Sequence, residues 1–379
     1  MLAKFSVKGF KNFGRKITWN LTNTGKYVFN CTEIKNGIVN KGIIYGPNGS
    51  GKSNLGEAIF DIEKSAIFST SPLESQALPF ASTSETYRTV GYTGPIEFEY
   101  EFLFDKDIIK YKYQKESEYE IVSEELAING KTILKYKKGT EVKTSIPETR
   151  GLNFSRMPEG RSCIFYMFNL IRFSPDSPLG KMLNFVKGML RFRCLSNGNE
   201  AAGYAVRSDL IEDAIVRTDK VNEFQKFLQM GGMKYKLSSK PSFQILPNGQ
   251  QRQIQTIIAT INGQQVPLSP LLSTGTRALE LFFYWSMRFS EVSFLFIDEF
   301  DVFYHFELSA TIVHLLNEYT HFQSFVTTHN TSLMNNKLMR PDNIFIIKKN
   351  KIKPLCDCDY GELREGHNLE KIYRSGGFN

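Results

Sequence analysis

The chain has 379 residues, 41% of them apolar and 23% charged, which is the composition of one or two globular domains. No apolar run reaches the roughly 20 residues of a membrane span, and Met1-Leu2-Ala3-Lys4-Phe5 lacks the long apolar segment of a signal peptide, so no membrane association is expected. The formal net charge of +8 permits nucleic-acid contact, but no run of five basic residues provides an arm or tail for it.

Residues 1–35 read as strands. Phe5-Ser6-Val7-Lys8-Gly9-Phe10 alternates, as does Ile17-Thr18-Trp19-Asn20-Leu21, and Asn36-Gly37 is a tight-turn signal. A short apolar strand, Gly42-Ile43-Ile44-Tyr45, then runs into Gly46-Pro47-Asn48-Gly49-Ser50-Gly51-Lys52-Ser53, which fits G-x-x-x-x-G-K-[ST]. Leu55, Ala58, Ile59 and Ile62 follow at helical spacing, so strand, glycine-rich turn and helix provide the context this motif needs. The glycines let backbone N–H groups of Asn48, Gly49, Ser50 and Gly51 converge on phosphate oxygens, and the helix N-terminus adds positive potential. Lys52 reaches the terminal phosphates of ATP and Ser53 holds Mg²⁺.

Residues 69–90 are rich in Ser, Thr and Pro and read as a surface loop or small lobe. From Pro95 the pattern becomes strand-like. Ile96, Phe98, Tyr100 and Phe102 alternate with glutamates, and Ile109, Tyr111 and Tyr113 alternate with lysines, a hairpin with cross-strand ion pairs. Asn129-Gly130 marks another hairpin, so residues 95–150 are expected to form an inserted antiparallel layer. Residues 160–233 read as helical, with one apolar cluster at Phe165, Phe168, Leu170 and Ile171. Met182, Phe185, Val186, Met189 and Leu190 form a helical stripe, and Lys181, Lys187, Arg191 and Arg193 lie between them as a solvated or nucleic-acid-facing side. A further apolar pattern runs from Asp209 to Met230. Strands return over 242–268, with turns at Asn248-Gly249 and Asn262-Gly263.

The last third carries a second set of motifs. Leu272-Ser273-Thr274-Gly275-Thr276-Arg277 opens a long helix with Ser273 as its N-cap. Phe294-Leu295-Phe296-Ile297-Asp298-Glu299 is a buried strand delivering two carboxylates to the sheet edge where a P-loop also lies. Asp298 suits the Mg²⁺ shell with Ser53, and Glu299 suits the acceptance of a proton from the attacking water. Ser324-Phe325-Val326-Thr327-Thr328-His329 is another short strand ending in histidine. The five cysteines are mostly scattered, and Cys356-x-Cys358 is too tight for a zinc knuckle and has no second pair, so they read as thiols of a reducing cytoplasm.

The order of these parts resembles the ATP-binding-cassette ATPase fold over roughly residues 1–65 and 265–350. The opening Phe5–Phe13 is similar to the SMC, RecF and OLD-like branch. The closing Asn368–Phe378 resembles bacterial AAA-type ATPases of abortive-infection and other anti-phage operons. The resemblance implies an α/β, ABC-type P-loop NTPase with a core of residues 1–65 and 265–379. Residues 66–264 would be an inserted β-hairpin layer and helical lobe. It further implies that Ser273 and Gly275 contact the γ-phosphate of ATP held by another protomer. Asp301 falls at a D-loop position, and His329 would be the switch histidine. Thr274 and Thr276-Arg277 depart from the transporter signature, and no glutamine, Gln76 and Gln114 included, sits convincingly as a Q-loop residue. The interval between Ser53 and Ser273 has no heptads, so long coiled-coil arms are not expected, nor is an OLD-like nuclease domain within residues 330–379.

The expected function is a cytoplasmic ATPase that forms a homodimer or higher homo-oligomer around ATP and Mg²⁺. It would gate a separate effector, a toxin or nuclease, in anti-phage defence. The alternative is a RecF-like repair or recombination ATPase acting directly on DNA. A transporter subunit is the third possibility, disfavoured by the altered signature and the β-rich insertion.

Overall fold

The structure is a computed structural model that describes residues 1–67, 87–195, 198–201, 204–206, 208–245, 249–358 and 360–378. Most of the expected loop at 69–90 lies outside the described residues.

The chain begins with β1 (Leu2–Lys8), β2 (Ile17–Asn20), the short pair β3 (Ile34–Lys35) and β4 (Ile38–Val39), and β5 (Lys41–Tyr45). Helices α1 (Lys52–Ile59) and α2 (Asp61–Ala66) follow, then β6 (Ile96–Phe104), β7 (Asp107–Ser117), β8 (Glu120–Ile128), β9 (Lys131–Lys137) and β10 (Lys143–Thr144). Next are α3 (Cys163–Leu170), α4 (Pro178–Lys187), β11 (Met189–Leu195), β12 (Gly198–Ala201), β13 (Tyr204–Val206), α5 (Ser208–Arg217) and α6 (Val221–Met230). The chain continues through β14 (Lys236–Ile245), β15 (Gln251–Ile261), β16 (Gln264–Pro267), α7 (Thr274–Ser286), β17 (Phe294–Asp298) and α8 (Phe306–Glu318). It closes with β18 (Gln323–Thr327), β19 (Ile344–Lys348), β20 (Lys351–Pro354) and α9 (Leu369–Arg374). It divides into two compact units, one of Met1–Arg191, Ser293–Asp298 and Val313–Asn379, the other of Phe192–Val292 and Glu299–Ile312. Residues 66–264 therefore contribute to both.

In the first unit, β17, β18, β5 and β19 are adjacent parallel strands, and β20 pairs antiparallel with β19. Every residue of β5, β17 and β18 is buried, as the unbroken apolar runs of parallel strands require. A second sheet in this unit is antiparallel, in the order β10-β9-β8-β7-β6-β1-β2. The expected β layer is thus continuous with the N-terminal strands, because β6 pairs along β1 from Phe102 opposite Leu2 to Glu97 opposite Lys8. The expected charge ladder is present, with Glu99 and Glu101 opposite Lys112 and Lys110 and ion pairs of 3.3 and 3.1 Å. The inner face is aromatic. Phe5, Phe98, Tyr100, Phe102, Tyr111 and Tyr113 are all buried, with Phe98 and Tyr113 stacked at 5.1 Å.

That face holds α1 and α2. The Tyr100 hydroxyl donates to the carbonyls of Ala58 (3.0 Å) and Ile59 (3.2 Å) at the end of α1. Asp61, which opens α2, is fully buried and accepts from Tyr113 (2.7 Å), Lys115 (2.9 and 3.0 Å), Ser65 (3.0 Å) and Tyr87. Burial alone would raise its pKa, but the Lys115 charge and these donors hold the carboxyl below its ordinary value.

In the second unit, β14, β15 and β16 form an antiparallel sheet under α5 and α6. Strand β16 reaches only as far as Ile258 along β15, and the amides of Gln255 and Ile257 beyond it donate to Asp213 and Glu212 of α5, each at 2.7 Å. Phe227 stacks on Phe282 of α7 at 5.8 Å, and Phe224 meets Phe283 at 5.0 Å. The turn at Asn262-Gly263 is present, with both residues at positive φ. Asn248 lies outside the described residues.

The helical reading of 160–233 is corrected in two places. Helix α4 stops at Lys187, and Met189–Leu195 is a strand, so Arg191 and Arg193 do not share a helical face with Lys181. Those basic residues also have acidic neighbours: Lys181 pairs with Asp105 (2.6 Å), Arg191 with Glu57 (3.6 Å) and Arg193 with Glu299 (3.0 Å). Downstream, Asp219 at φ 58° separates α5 from α6. In the expected cluster at the end of α3, Leu170 is exposed. Among the described residues no helix is long and apolar enough to cross a membrane. None of Cys31, Cys163, Cys356 and Cys358 is in a disulfide.

Candidate functional site

The first unit gathers one set of motif residues at the C-terminal edge of its parallel sheet. β5 ends at Tyr45 and the glycine-rich turn carries the chain into α1. Gly51 is the N-cap of α1, at φ 102°, and offers no side-chain cap to the first-turn amides. A Cβ there would stand 2.5 Å from Asn12 Nδ2 and 2.8 Å from the Phe13 ring, so both backbone and packing require glycine. A Cβ at Gly46 would stand 2.6 Å from the Ile347 carbonyl. The Ser50 hydroxyl is buried and makes no hydrogen bond. These uncapped amides and the orphaned hydroxyl, in a loop that admits no side chain at Gly46 or Gly51, fit a bound polyphosphate.

Lys52 is buried, and its ammonium donates to the carbonyls of Gly46 (2.9 Å) and Pro47 (3.3 Å) and lies 2.8 Å from His329 Nε2. β18 lies between β5 and β17, so the residues at its C-terminal end face both neighbours. Thr328 N donates to Ile44 O (3.2 Å) and Thr327 Oγ1 donates to Asp298 Oδ1 (2.7 Å). The structure therefore brings Lys52 to His329 and Asp298 to Thr327. Helix α1 crosses β17 at Gly56, where a Cβ would meet the Phe296 ring at 2.5 Å. Ser53 and the fully buried Asp298 offer the few oxygen donors from which Mg²⁺ is usually held beside phosphate and water.

The turn at residues 9–13 packs against the P-loop, a role the sequence reading missed. Asn12 donates to Ser50 O (3.4 Å) and accepts from Asn54 Nδ2 (2.7 Å). Lys11, at φ 45°, pairs with Glu57 of α1, which Arg191 also approaches. Burial opposes ionisation of Glu57, but the Arg191 and Lys11 charges outweigh it and hold the carboxyl below its ordinary value. The signal was present as Phe10-Lys11-Asn12-Phe13, but nothing in its spacing says which loop it braces.

The second unit holds the other set. Ser273 caps α7 by accepting from Thr276 N (3.3 Å), and its hydroxyl lies 2.9 Å from that of Thr276. Arg277 bonds back to the carbonyls of Ser269 (3.1 Å) and Leu272 (3.4 Å), bracing the loop before the cap. Gly275 faces the segment after β17, where a Cβ would stand 2.6 Å from the Phe303 carbonyl. In that segment Phe300 and Asp301 are buried, and Tyr304 N donates to Asp301 O (3.1 Å). Glu299 is at φ 50° and pairs with Arg193. Among the described residues no group of three or more His, Cys, Asp or Glu side chains is placed to hold a metal ion.

No functionally curated protein matches the sequence. Among solved structures, an SMC head bound to the C-terminal winged-helix domain of ScpA is 17% identical, with 93% of this chain and 96% of that chain covered and a TM-score of 0.49. The SMC head domain from Thermotoga maritima is 17% identical, with 93% and 97% covered and a TM-score of 0.41. An SMC head domain with coiled coil and joint from Pyrococcus yayanosii is 11% identical, with 99% of each chain covered and a TM-score of 0.46. A family model described as "AAA domain, putative AbiEii toxin, Type IV TA system" matches residues 43–154 and 167–335, which is most of the chain. With its P-loop after an inner parallel strand of an α/β sheet, the chain belongs to that family of AAA-type P-loop ATPases.

Proposed function

We propose that this cytoplasmic protein binds ATP with Mg²⁺, dimerises around two nucleotides and hydrolyses them to gate a separate effector, a toxin or nuclease, in anti-phage defence. One observation carries the reading: the strand order sets Lys52 against His329 and Asp298 against Thr327 at one sheet edge. In this reading Asn48, Gly49, Ser50, Gly51 and Lys52 hold the phosphates, and Ser53 and Asp298 hold the metal. When bound, Mg²⁺ neutralises charge on the phosphate oxygens. Glu299 accepts the proton of the attacking water. His329 leaves the Lys52 ammonium for the γ-phosphate. Ser273 and Gly275 of a second copy complete the site, with Asp301 in the adjoining loop. Residues 1–65 and 265–379 supply this machinery, and residues 66–264 supply the surface that meets the effector.

The defence role draws on the family description, which names a toxin of a toxin–antitoxin system. Direct action on DNA, the RecF-like alternative, would draw on the basic residues at 181–193, three of which already pair with carboxylates.

The test is complementation between copies. Lys52→Ala and Ser273→Arg each abolish turnover alone, and mixing them restores one intact composite site per heterodimer. A mixture that dimerises but hydrolyses no ATP would overturn the shared-site reading.

A further inference from the structure

Phe192 and Arg193 are consecutive residues of β11, so their side chains leave the strand on opposite faces. Phe192 is buried, stacked on Trp285 with ring centroids 6.2 Å apart at 18°, and edge-on to Phe282 at 6.4 Å. Both partners belong to α7, the helix that Ser273 caps. Arg193 points the other way, and its Nη2 lies 3.0 Å from Oε2 of Glu299. Glu299 adopts the left-handed backbone at φ 50°, which a residue with a Cβ keeps only where its surroundings hold it. The two side chains are 30% and 26% exposed. A pair that solvated adds little to fold stability.

We propose that Arg193 is a positioning residue for Glu299: its guanidinium sets the direction of the carboxylate, and Phe192 ties that guanidinium to α7. The inference rests on Glu299 being the general base. Arg193 touches no reacting atom in this scheme; it acts through Glu299. Because Phe192 and Arg193 are neighbours on one strand, the helix that would meet the other copy's nucleotide and the group that would activate water share one short mechanical link.

Steady-state ATP turnover and ADP affinity by calorimetry test this on the full chain, for wild type, Arg193→Ala, Arg193→Lys, Glu299→Gln and the Arg193→Ala/Glu299→Gln double variant. Arg193→Ala is expected to lower kcat about 10- to 100-fold, the range for a misaligned catalytic group, with KM and ADP affinity unchanged. Arg193→Lys, which keeps a cation within reach, should recover most of that loss. In the Glu299→Gln background, removing Arg193 should cost nothing further, because the group it positions is already disabled. Arg193→Gln serves the same comparison should the alanine variant lose its melting transition. A wild-type or raised kcat in a folded Arg193→Ala or Arg193→Gln protein overturns the proposal, as does an equal loss in the Glu299→Gln background. If Glu299→Gln itself turns over at the wild-type rate, the base assignment fails first and the positioning role falls with it.

Discussion

At the scale of single residues, Lys52 has the most to lose. It is buried and held by two carbonyls of the turn that would hold phosphate and by His329 beyond β18. Lys52→Ala should weaken ATP binding by about 1.5–3 kcal/mol, the worth of a charge-assisted contact, with calorimetric titration as the measurement. Unchanged affinity in a folded variant would remove the P-loop assignment. A second residue-scale effect belongs to Glu63 of α2. Burial pushes its carboxyl up to about 8, against the pull of the Lys64 and Arg191 charges. The folded state thus keeps a proton that the unfolded chain releases, and this contribution to stability is lost as pH rises from the ordinary carboxylate range towards 8. Glu63→Gln stays neutral throughout, so its melting temperature relative to wild type should climb between pH 5 and pH 8. A difference that stays flat across that window would show that Glu63 is ionised in the fold. The P-loop, Asp298 and the Ser273 cap were legible from sequence because each is a local motif with a local cause. The partners Thr327 and Arg193 were not, because a hydrogen bond or ion pair between distant segments leaves no trace in spacing.

At the scale of elements, the joint between the P-loop helix and the antiparallel sheet is the most constrained feature. Tyr100 holds the last carbonyls of α1, and Asp61 starts α2 inside a cage of Tyr87, Tyr113 and Lys115. Burial and the Asp61 charge hold both tyrosines well above their ordinary values, so they stay donors. Lys115 and Asp61 are each 2% exposed, and removing the ammonium would leave a buried carboxylate with only hydroxyl donors, from Ser65, Tyr87 and Tyr113. Lys115→Ala should destabilise the protein by about 3–5 kcal/mol, read from the urea midpoint, and Lys115→Met with Asp61→Asn should recover much of it. A loss below about 1 kcal/mol would mean that water reaches the pair. The hairpins of this layer were readable because period-two alternation and Asn-Gly turns are local. The union of β6 with β1 was not, since it joins strands far apart in sequence. Strand β11 was misread for a different reason. Met182, Phe185, Val186, Met189 and Leu190 keep helical spacing straight through Gly188, yet Gly188 ends α4, and Leu190 and Phe192 then alternate as a strand.

At the scale of the whole molecule, the chain falls into two units, each with its own set of the proposed nucleotide-handling residues. The first has the P-loop, Asp298 and His329, and the second has Ser273, Gly275, Glu299 and Asp301. A shared site between two copies predicts opposite assembly behaviour for two inactive variants. Glu299→Gln should slow hydrolysis by about 10²- to 10⁴-fold while leaving the phosphate-holding residues intact, so ATP stays and bridges two copies. Lys52→Ala should fail at the earlier step. The decisive measurement is light scattering after gel filtration for wild type, Glu299→Gln and Lys52→Ala, each with and without Mg-ATP. The expected result is a dimer for Glu299→Gln that depends on Mg-ATP, a weaker or transient dimer for wild type, and no ATP-dependent change for Lys52→Ala. A Glu299→Gln protein that binds ATP, fails to hydrolyse it and still elutes as a monomer would contradict the shared-site account.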